Sequence, residues 1–504
     1  MQTSNRCLSV CTPGFRTRQK RCVSVPMNLW TRPSFPLVSL TGSNGMSAAS
    51  SSDLVHRYGG NLPRYTSYPT AASFSEAVGP AQAESWLRAL PAQQPVSLYF
   101  HVPFCDELCR FCGCNTSVMR HEDGRLAYGD LLREELRRVV ALVGTRRSVK
   151  HVQFGGGTPS TLPASALRQI MRSVRSMFQI EPDAELSMEL DPRHVPVGYP
   201  ALLGGLGFTR ISLGVQDLNP QVQDACGRHQ SFEQTEACVT AVRNAGVSGV
   251  NIDLIYGLPY QTEESVAETA RRIASLRPDR LAVFGYAHVP WKQKRQRLIP
   301  EESLPKPSER LAQRARMDTV LRAEGYLPVG LDHYALPQDA LVRAASTGTL
   351  RRNFQGYTTD SCDVLLGMGA SAISMLPDGY VQNITAVAPY ARAMADHDGL
   401  PIARGVERTA DDRLRGSLIE RLMCDMGVDL EQMEAQLDVF SPELGALEPL
   451  IQDGLVTVEG PKITVTEKGR PFLRHVAAVF DTHRKTLSQA PSSGAPQPRF
   501  AGAL

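Results

Sequence analysis

Four cysteines fall within ten residues of a 504-residue chain: Cys105, Cys109, Cys112 and Cys114. They lie in the segment HVPFCDELCRFCGCN, residues 101–115. Thiolates are soft ligands that suit iron–sulfur clusters and zinc. Cys105, Cys109 and Cys112, at x₃ and x₂ spacing, can each take one iron of a [4Fe–4S] cubane. The fourth iron is then left for a ligand from outside the protein. Cys114 follows Cys112 too closely to complete the cubane, so a separate functional role is expected for it. An electron-transfer ferredoxin would supply its fourth thiolate at wider spacing. Structural zinc is the weaker alternative, because it usually wants two ligand pairs parted by a longer loop. The chain has eleven cysteines and the other seven are scattered. Clustering in a long chain points to metal binding in a reducing compartment, here the cytoplasm, and away from a disulfide scaffold.

Further polar groups recur at regular intervals downstream. Gly155-Gly156-Gly157-Thr158-Pro159 could admit a ligand close to the backbone, though a tight turn alone would use the same residues. Glu189-Leu-Asp191-Pro192-Arg193, Gln216-Asp217, Gly227-Arg228-His229-Gln230, Asp253 within NIDLIYGLP and Tyr286-Ala287-His288 follow. Each is ordinary for a loop. Their repetition at the ends of successive β-rich runs marks a site.

The runs that carry these groups alternate with helical patterns. Strands are predicted at 96–101, 151–154, 185–190, 209–215, 249–256 and 279–286. Helices are predicted near 125–143, 164–178, 196–205, 231–245, 262–276 and 308–324. In the first helix Leu126, Leu131, Leu132, Leu136, Val139 and Val140 keep close to a 3.6-residue period. Strict alternation implies a parallel sheet, and six units imply an α/β fold with a partial (β/α)6 barrel. Ligands bind at the carboxyl ends of such strands, so all the motifs above share one face.

The expected organisation is an extension over 1–52, an N-terminal arm over 53–95, the barrel over 96–325, a capping or substrate region over 326–405, and a smaller C-terminal domain over 406–484. That last domain has helical patterns at 411–422 and 430–437, then the segment 444–452 (LGALEPLIQ), a Gly454 break and a hairpin of 455–458 and 463–466, a mostly helical, winged-helix-like order. Few basic residues accompany it, so packing or lid duty is expected over nucleic-acid binding. Residues 1–52 hold six Lys/Arg and no Asp or Glu, which suits either a targeting segment or a start assigned too early, with Met46 as the true first residue. Residues 485–504 read as disordered. Hydrophobic residues make up 42% and charged residues 21%, as in ordinary globular chains, and a net charge of +3 gives no hint of nucleic-acid binding. No apolar run is long enough to span a membrane.

C-x₃-C-x-aromatic-C after a first strand resembles the radical S-adenosylmethionine (SAM) superfamily. The resemblance sharpens over PRYTSYPTA (63–71), HVPFC…CGCN (101–115), FGGGTPS (154–160), ELDPR (189–193), ISLGVQD (211–217), NIDLIYGLP (251–259), GLDHYA (330–335), RNFQGYTT (352–359) and LLGMGASAIS (365–374). These segments resemble the oxygen-independent coproporphyrinogen III oxidases. That resemblance implies a [4Fe–4S] cluster on Cys105, Cys109 and Cys112, and two SAM molecules. Tyr99, Gly156, Glu189 and Ile373 would contact the cluster-bound SAM. Phe111, Gly157, Thr158, Gln216, Arg228, Asp253 and Ala287 would contact the second. Arg228 suits a carboxylate, because guanidinium pairs with it bidentately. Glu189 and Asp253 suit ribose hydroxyls. Cys114, as a catalytic residue, and PRYTSYPT would lie near the substrate.

The implied reaction converts two propionates of coproporphyrinogen III to vinyl groups, giving protoporphyrinogen IX, through deoxyadenosyl radicals in haem biosynthesis. A monomer fed by a flavodoxin- or ferredoxin-type donor is implied. The basic run 292–297 (KQKRQR) would meet either substrate carboxylates or solvent. Arg110 departs from the family, which usually has an aromatic there. A related class that carries haem, and binds without decarboxylating, usually lacks the Cys-Gly-Cys-Asn extension. Cys114 and Arg228 therefore favour the oxidase.

Overall fold

A computed structural model describes residues 51–396, 398–433, 437–484 and Gly502. Six parallel strands appear in chain order: β1 (Val96–Val102), β2 (Ser148–Gly156), β3 (Gln179–Leu190), β4 (Arg210–Gln216), β5 (Gly249–Tyr256) and β6 (Arg280–Gly285). Helices Glu122–Val143, Ala164–Met177, Tyr199–Gly205, Phe232–Asn244, Glu263–Ser275 and Pro307–Ala323 follow them in turn. This is the six-unit α/β partial barrel expected from the alternation.

Period-two patterning explains how the barrel acquires its two faces. On β4, Ile211, Leu213 and Val215 are fully buried, whereas Ser212, Gly214 and Gln216 are partly accessible. On β5, Val250, Ile252 and Leu254 are fully buried and alternate with Asn251, Asp253 and Ile255. The apolar residues join one continuous core with helix residues such as Val239, Val242, Ala270 and Ile273. Each large aliphatic side chain buried there contributes about 1.5–3 kcal/mol. Parallel strands are usually apolar on both faces. The polar row here marks the face that lines the site. Register aligns that row, pairing Tyr99 with Gln153, Glu189 with Ser212 and Gly214 with Asp253.

The sheet runs past residue 325, where a boundary between barrel and capping region was expected. Strand β7 (Leu365–Met368) pairs in parallel with β1. Antiparallel strands Ile373–Leu376, Gly379–Asn383 and Ile402–Glu407 extend that edge, and His333–Ala335 and Leu327–Val329 extend the other. The twelve-stranded sheet is open. Buried Glu135 ties the added edge to the first barrel helix. It accepts from Gly369 N at 2.7 Å, Asn383 Nδ2 at 2.6 Å and the Tyr390 hydroxyl at 2.6 Å.

The C-terminal module begins with helix Ala410–Asp425, started by a Thr409–Asp412 capping box. A hairpin of Val456–Glu459 and Lys462–Val465 gains a third strand from Gly427–Asp429. The helix expected over 430–437 is not formed at 430–433, which is turn, because the chain has just left that strand. Its remainder reaches residues 434–436, outside the described residues. A final helix, Leu473–Val479, was not anticipated. The module's core includes Leu418, Leu422, Phe440, Phe472 and Phe480, and also Leu54, Leu62, Tyr65 and Tyr68 of the N-terminal arm. Tyr65 donates to Asp481 at 3.0 Å, and Arg57 and Tyr58 both bond Asp453. The arm is thus stapled to the far end of the chain. Of the expected extension over 1–52, residues 1–50 lie outside the described residues and the last two open the helix Ser51–Tyr58; of the expected tail over 485–504, all but Gly502 lies outside them. No described helix is long and apolar enough to cross a membrane.

Candidate active site

The cysteine loop leaves β1 and is closed by a short parallel pairing of Phe104–Cys105 with Ser117–Val118. Cys105, Cys109, Cys112 and Cys114 all line one cavity of about 650 Å³ at the carboxyl end of the barrel. Cys105 is half-buried and accepts from the Thr158 hydroxyl at 3.6 Å. Buried Cys109 accepts from Arg228 Nη1 at 3.3 Å and Arg193 Nη2 at 3.7 Å. Burial pushes the Cys105 thiol up to about 11. A hydrogen bond from Cys114 brings Cys112 down to about 6. Cys114 is exposed to the cavity.

The glycine turn at the end of β2 has no room for side chains. Gly156 has φ +115°, and a Cβ on it would stand 2.5 Å from His101 Cε1. A Cβ on Gly157 would stand 2.6 Å from the Phe104 carbonyl oxygen. Both glycines are therefore required by backbone conformation and close approach, whatever else they do. Gly156 N–H donates to Glu189 Oε2 at 3.0 Å, and Gln153 adds a longer bond of 3.4 Å. Burial raises the Glu189 carboxyl to about 7. Asp253 accepts from Asn251 at 2.8 Å and Ser212 at 3.2 Å, and burial raises it too.

Arg228 is held by Asp191 through two bonds of 3.0 and 3.1 Å, and its Nη2 also donates to Gln230 and to the Gly214 carbonyl. Burial works to raise Asp191, but Arg193 and Arg228 outweigh it and hold the carboxyl at about 2. The expected clamp is therefore already engaged internally. Only its buried Nε lacks a partner among the described residues.

Gly156, Gly157, Thr158, Glu189, Gln216, Arg228, Asp253, Ala287 and Phe111 join the four cysteines in the cavity wall. Tyr99 and Ile373 are absent from that wall. Tyr99 lies behind it, its hydroxyl 3.0 Å from His101 Nδ1. Ile373 sits against Gly367, the register partner of Tyr99.

Several wall-building residues escaped the sequence reading. His101 Nε2 lies 3.3 Å from the Asn115 carbonyl and so braces the cysteine loop. Fully buried Gln296 donates to the Phe111 carbonyl at 2.8 Å and the Ala287 carbonyl at 3.1 Å. Gln293 and Arg295 bond the carbonyls of Gly113 and Cys114. The basic run at 292–297 is therefore a clasp on the cysteine loop. Arg110 turns away from the cavity and caps the helix Pro220–Cys226, reaching the carbonyls of Asp224 and Ala225 at 3.3 and 3.2 Å.

A [4Fe–4S] cluster fits this donor set. Three thiols reach one cavity, two guanidiniums face one sulfur, and Gly156 and Gly157 bring backbone into the same wall. Among the described residues, no group of three or more His, Cys, Asp or Glu is placed to hold a single metal ion. A cubane spreads its ligands over separate irons and needs no such convergence.

Residues 99–273 match the radical SAM superfamily and residues 409–472 match the HemN C-terminal domain. An oxygen-independent coproporphyrinogen III oxidase from Bradyrhizobium diazoefficiens is 45% identical over 436 residues, covering 86% of this chain and 97% of that protein. This chain belongs to the oxygen-independent coproporphyrinogen III oxidase family. The relative of that name in Escherichia coli is 42% identical, over 85% of this chain and 94% of its own. The structure titled coproporphyrinogen III oxidase (HemN) from Escherichia coli, a radical SAM enzyme, superposes with a TM-score of 0.80 at 41% identity, covering 83% of this chain and 97% of that one. Membership makes this chain a radical SAM enzyme. It also assigns residues 409–472 of the C-terminal module to the HemN C-terminal domain.

Proposed function

We propose that the chain decarboxylates two propionates of coproporphyrinogen III oxidatively, giving protoporphyrinogen IX in haem biosynthesis. The observation that carries this reading is the meeting of three loop thiols, a glycine turn, two half-buried carboxylates and a buried guanidinium in one cavity. Together, a cluster and SAM would supply radical hydrogen abstraction from an unactivated C–H bond, which acid–base groups do not achieve.

Cys105, Cys109 and Cys112 would hold three irons. Thr158, Arg193 and Arg228 lie within hydrogen-bonding reach of two of those sulfurs and would stabilise them as thiolates. Gly156 and Gly157, in the cavity wall, would meet SAM's methionine end. Glu189 and Asp253 would accept from ribose hydroxyls. Glu189 on β3 would serve the cluster-bound SAM and Asp253 on β5 a second SAM. Tyr99 and Ile373 would act from behind the wall. Phe111, Thr158, Gln216, Arg228 and Ala287 would contact the second SAM. Cys114, exposed in the cavity, would meet the substrate. The reading includes a monomer served by a flavodoxin- or ferredoxin-type donor.

The test is anaerobic reconstitution, followed by incubation with SAM, a reductant and coproporphyrinogen III. Protoporphyrinogen IX and released CO₂ are expected. A reconstituted protein that cleaves SAM yet leaves the porphyrinogen intact would overturn the substrate assignment.

A further inference from the structure

A second cavity, of about 460 Å³, lies between the N-terminal arm, the hairpin Arg351–Thr358 and helix Ala410–Asp425. Its wall holds four arginines: 351, 352, 408 and 413. Arg351 is neutralised by Glu420 at 3.0 Å and Asp363 at 3.3 Å. Arg352 has a side chain only 4% exposed, and its nearest carboxylate is Asp332 at 3.7 Å. Its Nε and Nη1, and the buried Nε of Arg408, have no hydrogen-bond partner among the described residues. No ion pair joins Arg408 or Arg413 to a carboxylate among those residues. Arg413 instead donates to the Arg408 carbonyl at 2.8 Å. The Arg352 guanidinium stacks on the Tyr357 ring, 4.3 Å from its centroid, and is closed off from the cavity, which leaves Arg408 and Arg413, without carboxylate partners among the described residues, to meet an anion.

Tyr65, Tyr68, Met375 and Tyr380 supply the apolar part of the wall. The arm links this cavity to the first one. Arg64 lines the first cavity and Tyr65 lines the second. Arg352 Nη2 makes a long contact of 3.5 Å with the Arg64 carbonyl. One strip of chain, inside the PRYTSYPT segment, thus forms a wall of both.

We propose that the second cavity is a carboxylate site, in which Arg408 and Arg413 receive a propionate of the tetrapyrrole that is not being decarboxylated. This rests on the substrate reading above and adds where a non-reacting arm is held. A propionate anchored there would turn the ring without occupying the reaction cavity.

The experiment measures binding, not turnover. Reconstituted protein without SAM is titrated with coproporphyrin III, the stable oxidised analogue, and its fluorescence is followed with and without inorganic phosphate. Arg408→Gln and Arg413→Gln are each expected to weaken porphyrin binding about tenfold, the effect of one lost charged hydrogen bond. Arg413 is exposed, so its variant should fold; melting curves check the other. Coproporphyrin tetramethyl ester should bind wild type and variants alike. Equal coproporphyrin affinity in wild type and both variants overturns the proposal. So does loss of phosphate binding alone, which would make the cavity a site for free anions. If wild type fails both to bind coproporphyrin and to turn over the porphyrinogen, the substrate reading itself fails. If wild type does both and the variants match it, only the present inference fails.

Discussion

Arg228 grips Asp191 with both Nη atoms, at 3.0 and 3.1 Å, and turns the same Nη1 onto Cys109 Sγ at 3.3 Å. One side chain therefore couples β3 to a thiol of the cysteine loop. Both partners of the ion pair have side chains only 9% exposed. Removing the guanidinium leaves Asp191 paired with Arg193 alone, at 2.7 Å, so the loss is that of buried charged hydrogen bonds, about 1.5–3 kcal/mol. Arg228→Ala should lose that much in urea denaturation. Arg228→Lys should retain more stability but not the two-pronged geometry, and its reconstituted iron content should fall.

Cys114 reaches the cavity without being needed for three-thiol ligation. Cys114→Ser should bind iron and sulfide at the wild-type ratio and still cleave SAM. Conversion of coproporphyrinogen III should fall by at least tenfold. Loss of iron together with turnover would instead make Cys114 a ligand.

Arg110 stands where the family usually carries an aromatic, and its guanidinium caps a helix end away from the cavity. Capping of this kind contributes about 0.3–1 kcal/mol. Arg110→Phe should cost no more than that in a chemical melt. The visible spectrum of the cluster should not change.

The floor of the barrel supplies a pH dependence. Burial opposes ionisation of Glu185, but Arg210 and Arg280 outweigh it and hold the carboxyl at about 2 against an ordinary 4.5. The folded pKa is depressed, so the stabilisation is fully present above 4.5 and is lost as pH falls toward 2. The folded state then binds fewer protons than the unfolded one across that window. Glu185→Gln should be less stable than wild type at neutral pH by roughly 3 kcal/mol. The gap should narrow steadily as the medium is acidified. A gap that stayed constant would disprove the linkage.

The reach of sequence reasoning differed from region to region. Strand β5 was placed without error because its period-two pattern is strict and its ends carry breakers. β3 starts six residues before its expected Glu185, at Gln179, because its opening EPDA reads as a turn and is recruited by pairing with Ser148 and Val149. Strand β7 is LLGM, too short to show periodicity, and only its parallel pairing with β1 makes it part of the barrel sheet. The run at 292–297 looked either substrate-facing or solvated. Its role as a clasp depends on carbonyls of Phe111, Gly113 and Cys114, nearly two hundred residues away in the chain.

By itself, the order of residues determined the ligand chemistry and the face of the sheet that carries it. Thiol spacing, glycine turns and alternation are local, and they act over a few residues through steric and donor geometry. Tertiary structure alone decided that Arg228 is already occupied by Asp191, that Tyr99 stands behind the wall, and that residues 64 and 65 border two different cavities. Those facts depend on contacts between segments far apart in the chain, where packing sets partners that no local pattern encodes.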